Sequence, residues 1–129
     1  ALVSFSNPLE YLYEPHPAFM RSGGFHYMAQ AYGVNKIAPS SHLYTSENLR
    51  TEFPGRLFKI MGVVNAAAFS WKDWLEEGKA NLTLRNFPAT PDDLRKKWRL
   101  KEGGQDYLFA TTLATGRKVV IVTKKAEDI

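Results

Sequence analysis

The sequence predicts an α+β fold, with one or two short mixed sheets and helices packed on one face. Three observations carry this expectation. Runs rich in β-branched and aromatic residues, such as GRLFKIMGVV and RKVVIVTKK, alternate with short segments at helical spacing. Prolines and glycines punctuate the chain between these short elements, and no internal repeat is visible. Hydrophobic residues make up 44% and charged residues 23% of 129 positions, the make-up of one ordinary domain or of two small ones sharing a core.

The elements follow in order. LEYLYEP reads as a strand that runs into a turn at Pro15. PAFMRS and GFHYMAQAYG read as two helical pieces, because Phe25, Met28 and Ala29 lie at helical spacing. Gly23 and Gly24 in mid-helix would cost about 2 kcal/mol against alanine, so a break is expected there. SHLYTS is a candidate strand, ENLRTE a helical turn, and GRLFKIMGVV, after Pro54 and Gly55, a stronger strand. SWKDWLEEG predicts a short helix with Ser70 as cap, Asp73 at the capping-box position and Gly78 at the end, its apolar face made by Trp71, Trp74 and Leu75. KANLTLRNF alternates Leu82 and Leu84 with polar residues, as a half-buried strand does.

TPDDLRKKWRLKEGG carries the clearest helix signal. Thr90 is an N-cap, Pro91 suits the first helical position, and Asp92 and Asp93 place negative charge at the positive end of the helix dipole. YLFATTL and RKVVIVTKK then form a β-hairpin turning near Gly116. The resulting order suits ferredoxin-like βαβ arrangements, and TEFPGR, residues 51 to 56, is the segment most open to a domain junction.

Charge is distributed unevenly. Residues 1 to 84 hold seven Lys/Arg and seven Asp/Glu, whereas residues 85 to 125 hold ten against four; the tail AEDI returns two negative charges. A polyanionic partner would favour the last third. On a helical wheel Leu94 and Trp98 share the inward side, while Arg95, Lys96 and Arg99 share the outer arc. Lys97 flanks the buried side, and Lys101 lies past the expected helix end. The plain alternative is a solvated helix face whose cations suit the C-terminal end of the dipole. Arg85, Arg117, Lys118, Lys124 and Lys125 add cations on neighbouring elements without matching acids, which favours a binding surface.

Catalytic signatures are missing. There is no GxGxxG at a strand-to-helix turn, no GxxxxGK[ST], no HExxH and no GxSxG. His16, His26 and His42 are spaced ten and sixteen apart, which fits no metal signature, and the lack of cysteine removes thiolate chemistry. His42 is the least dismissible histidine. Glu10 and Glu14 read as two surface carboxylates, and Met20, Met28 and Met61 as core filler. No run approaches the length of a membrane-spanning helix, and the first residues lack the order of a secretory signal, so a soluble, cytoplasmic protein is expected.

Several of these motifs resemble a known family. RNFP at 85 to 88, LRKKWRLKEGG at 94 to 104, and YLFATTL with GRKVVIV at 107 to 122 resemble the C-terminal THUMP-like domain of a group of S-adenosylmethionine-dependent methyltransferases. EYLYEPHPAFMRSGGFHYMAQAYGVNKIAPSSHLYTSENL and FPGRLFKI resemble the small ferredoxin-like segment that precedes it. The resemblance covers residues 9 to 125. It implies a ferredoxin-like segment over 1–55, a THUMP-like domain over 56–129, and a longer class I enzyme whose Rossmann-like catalytic domain precedes them. S-adenosylmethionine is then expected in that domain, with no cofactor in these residues.

THUMP domains proper are RNA-binding modules of RNA-modifying enzymes, so RNA is the implied partner. Taken with the charge excess, phosphate contacts are expected at Arg85, Arg95, Lys96, Arg99, Lys101, Arg117 and Lys118. The catalytic domain is a second expected partner, and a dimer a further option. The competing expectation is a protein-interaction module that docks or dimerises through Phe69, Trp71 and the tyrosines of YLYEP.

Overall fold

A computed structural model of the chain describes residues 5–21 and 25–126. The elements are β1 (Tyr11–Pro15), α1 (Pro17–Arg21), α2 (Phe25–Tyr32), β2 (Asn35–Lys36), β3 (Tyr44–Ser46), β4 (Gly55–Asn65), β5 (Lys79–Arg85), α3 (Pro91–Trp98), β6 (Lys101–Thr112) and β7 (Lys118–Lys125). The strands form one seven-stranded sheet in the order β2-β3-β1-β4-β7-β6-β5. The β5 and β6 pair is parallel, with α3 as the crossover between them, and the other pairs are antiparallel.

β7 is an interior strand of this order, between β4 and β6, which explains its unbroken VVIV run. Val119 and Ile121 face one side with Leu12, Phe58 and Phe109, while Val120 and Val122 face the other with Leu82, Leu108 and Ala110. A strand buried on both faces has no use for polar alternation. Leu94 and Trp98 of α3 pack on the second of these faces. By register, Tyr13 and Leu57 share that face, and they meet Phe19 of α1 and Ala29 and Tyr32 of α2. The helices therefore cover one face, as expected, and the segment carrying Ile37 and Leu43 covers the other.

The sheet is strongly curled. β1 and β5 are four strand spacings apart in the order, roughly 19 Å if the sheet were flat. Yet Arg85 of β5 donates through Nη2 to Oε2 of Glu14 at 2.8 Å. No side chain spans the flat distance, so curvature must bring the two strands together.

Some local expectations change. ENLRTE forms bends and turns rather than a helical turn, because it wraps the hydroxyl of Tyr13. That oxygen accepts from the Arg50 amide at 2.9 Å and hydrogen-bonds Ser46 Oγ at 2.6 Å. SWKDWLEEG does not form an α-helix. It holds a 3-10 turn at Trp71–Asp73, preceded by another at Ala66–Ala68, and Ser70 makes no side-chain cap bond. Its aromatic groups are drawn to separate places: Phe69 meets Trp98 edge-on at 4.8 Å, Trp71 lies against Gly78, and Trp74 lies across Gly62. Tertiary packing overrides weak helix propensity here.

β6 starts at Lys101, several residues before YLFATTL. Gly103 and Gly104, at φ 111° and 85°, pass through the strand opposite a register shift at Ala80/Asn81. Asn81 Nδ2 bonds the Gly104 and Asp106 carbonyls at 3.0 and 3.2 Å and pins the irregularity. The break expected at Gly23 and Gly24 and the acidic tail lie outside the described residues. Among those described, no helix is long and apolar enough to cross a membrane.

Candidate nucleic-acid interface

α3 is built as its sequence dictates. Thr90 Oγ1 accepts from the Asp93 amide at 3.1 Å, Pro91 occupies the first turn, and Leu94 and Trp98 are 4% and 7% exposed. Arg99 closes the helix in the left-handed conformation, φ 55° and ψ 47°, its amide donating to the Arg95 and Lys96 carbonyls. It belongs to the cap and not to the helical arc the wheel assigned it.

The structure separates the basic run into two kinds of cation. Arg95 donates through Nε and Nη2 to Glu102 at 3.0 and 2.5 Å and through Nη1 to Asp92 at 3.2 Å, tying α3 to β6. Lys96, Lys97, Arg99 and Lys101 are exposed, and among the described residues none has a carboxylate partner. The same holds for Arg117 and Lys118 on the hairpin. Arg117 Nε donates to Asn65 Oδ1 at 2.6 Å, which fixes the guanidinium beside the end of β4.

Lys97 and Lys118 meet at a groove of about 540 Å³. Its apolar walls include Phe87, Pro88, Leu94 and Trp98, and Asn65 and Asp93 supply further polar groups. Arg117, held by Asn65, stands at the same end. The groove thus brings one cation of α3 beside one of the hairpin, while Lys96 and Arg99 lie at the C-terminal end of α3 and Lys101 at the start of β6.

Arg85 lies elsewhere. With Arg56, whose Nε donates to Glu14 Oε1 at 2.7 Å, it holds Glu14, which is 7% exposed. Glu14 is therefore not the surface carboxylate its sequence suggested. The expectation that Arg85, Arg117, Lys118, Lys124 and Lys125 lack matching acids fails for two of them: Arg85 has Glu14, and Lys124 has Asp106 at 2.7 Å. The curl of the sheet brings Glu14 to Arg85, and the β6/β7 register sets Asp106 opposite Lys124, neither of which a local motif encodes. Phe87 and Asn65 went unnoticed for the same reason.

Phe69 and Tyr13 are buried, and Tyr11 and Trp71 are half-buried, so the aromatic residues considered for protein docking form no exposed patch.

His42 sits near Arg85 in a left-handed conformation, φ 53°. Burial first, then the charges of Lys36 and Arg85, hold its imidazole below its ordinary value of 6.5. The folded state therefore keeps His42 neutral to lower pH than the unfolded state does. As pH falls through about 6.5 the unfolded chain takes up the proton first, and stability falls until the folded value is passed. Thermal melts at about pH 7.5 and pH 5 should show a larger loss for the parent chain than for His42→Asn, which tolerates the same backbone. Equal losses would remove this assignment.

Comparison with known proteins gives two successive family matches. A ferredoxin-like domain family matches residues 11–54, and a family described as THUMP domain-like matches residues 55–125. A crystal structure of a candidate methyltransferase from Porphyromonas gingivalis W83 superimposes with a TM-score of 0.86 at 34% sequence identity, over 98% of this chain and 32% of that one. The present chain thus spans about a third of that protein's length. No curated protein matches it.

Proposed function

We propose an RNA-binding role, on the premise that this chain belongs to the THUMP domain-like family. In this reading it is an accessory region of a longer S-adenosylmethionine-dependent methyltransferase and presents RNA to a catalytic domain elsewhere in that protein. The share of the Porphyromonas gingivalis chain left uncovered gives room for such a domain. The cofactor is assigned outside these residues.

The observation that carries the proposal is the set of six cations around α3 and the hairpin, Lys96, Lys97, Arg99, Lys101, Arg117 and Lys118. They have no carboxylate partner among the described residues. Such groups take phosphates and fix orientation without reading bases. Arg95 serves by holding α3 to β6, and Arg85 belongs to a separate cleft.

Fluorescence anisotropy with a structured RNA fragment, repeated across salt concentrations, tests the role. Six phosphate contacts predict that log affinity falls with log salt at a slope of about −4 to −5. No binding, or a flat salt response, sinks the proposal.

Arg99 offers a second, independent check. Its left-handed backbone favours glycine, so a long charged residue there costs about 1 kcal/mol. Arg99→Gly is expected to raise stability in denaturant melts while weakening RNA binding. A variant that gains stability and binds as before would show that Arg99 is not at the interface.

A further inference from the structure

A second cavity of about 660 Å³, which shares Ala89 with the groove, is lined by Glu14, His16, Arg56, Thr83 and Arg85, with apolar walls that include Leu84 and Pro91. Glu14 is the one carboxylate among its lining residues, against two guanidiniums. Its two oxygens are shared out, Oε1 to Arg56 and Oε2 to Arg85. A guanidinium carries five N–H donors, so among the described residues donors remain unused on both: Nη1 of Arg56, and Nε and Nη1 of Arg85. The buried carboxylate cancels one positive charge of the two and leaves the other directed to a ligand.

Arg56 has a further support. The Arg56 guanidinium lies 5.3 Å from the Phe58 ring centroid and 5.6 Å from that of Tyr107, held by cation–π attraction. A planar fork fixed by a buried carboxylate loses little freedom on binding an oxyanion, which suits two-point recognition of phosphate.

We propose that this cleft is a phosphate-binding site in which Arg56 and Arg85, positioned by Glu14, grip phosphoryl oxygens. The site stands apart from the cationic surface around α3 and does not depend on the RNA reading. Its ligand chemistry is a phosphate monoester or diester, from a free phosphorylated molecule or from a nucleic-acid strand.

The test is nitrogen-edited NMR of the arginine Nε–Hε resonances in the 129-residue chain, assigned with Arg85→Gln, which leaves the Arg56 and Glu14 pair in place. Inorganic phosphate should move the Arg56 and Arg85 signals saturably, and chloride at equal ionic strength should not. Arg85→Gln should weaken phosphate binding about tenfold, the loss expected for a charged hydrogen bond, while Lys72→Gln, at an exposed residue outside the cleft, leaves it unchanged. Oligonucleotides with and without a 5′-phosphate identify the source. A response to both points to the diester backbone, and a response to the phosphorylated one alone points to a terminal monoester; either supports the site. Saturable phosphate binding with no RNA binding keeps the site and removes the RNA role. RNA binding that leaves both resonances still, together with no phosphate response, overturns the site and leaves the RNA role standing.

Discussion

The triple variant Lys96→Glu, Lys97→Glu, Lys118→Glu is expected to bind RNA at least about 100-fold more weakly than the parent at physiological salt. Each phosphate contact releases a counterion, worth roughly fivefold in affinity at 0.15 M salt, so losing three gives about that factor before any repulsion is counted. The salt slope should fall by about half. Lys97 and Lys118 flank one groove, and Lys96 stands beside them on α3, so the three sample the surface rather than one corner of it. Acidic residues in the last turn of α3 oppose the helix dipole and cost about 1 kcal/mol. Circular dichroism melts separate that modest loss from unfolding. If a folded triple variant binds within threefold of the parent, RNA does not use this face.

Gly55→Ala should be the most damaging single methyl in the protein. Gly55 pairs with Pro15 across β1 and β4. A Cβ there would press inside van der Waals contact with the Glu14 carbonyl oxygen and come 2.9 Å from Pro15 Cα. Both obstacles are backbone, so no rotamer change relieves them and β1 must move away from β4. That movement also strains the Glu14 contacts to Arg56 and Arg85. The expected loss is about 3 to 5 kcal/mol, a large part of a small domain's stability. Gly62→Ala is the matched control. Its Cβ would strike the ring of Trp74, but Trp74 is 40% exposed and can swing outward, so the cost should be about 1 kcal/mol. Urea midpoints for the two variants decide the matter; equal losses would mean that strand separation is not the cause.

What the sequence disclosed was local. Thr90, Pro91 and the Leu94 and Trp98 spacing define α3 without help from the rest of the chain, and Gly116 between two β-rich runs defines the hairpin. The segments at 47–54 and 66–75 obey partners elsewhere, the Tyr13 hydroxyl in one case and Trp98 and Gly62 in the other. Propensity alone could not reveal them. The charge excess after residue 84 pointed to the right region but could not sort its members. Arg95 finds Glu102 seven positions on, past the end of its helix, and Arg85 finds Glu14 across 71 positions of sequence. Only assembled strands decide which cations are already spoken for and which remain for a ligand.

The curl closed by Glu14 and Arg85 has a consequence for the solubility of the chain. A sheet built around a strand as apolar as VVIV would be a template for aggregation if that strand lay at an edge. Here it lies inside the sheet, flanked by β4 and β6. One outer edge is β2, only two residues long, and the other, β5, is bent round toward β1 and fastened there by an ion pair. Little flat, unpaired backbone is left to recruit a second copy, so the same bridge that shapes the phosphate cleft also guards against misassembly.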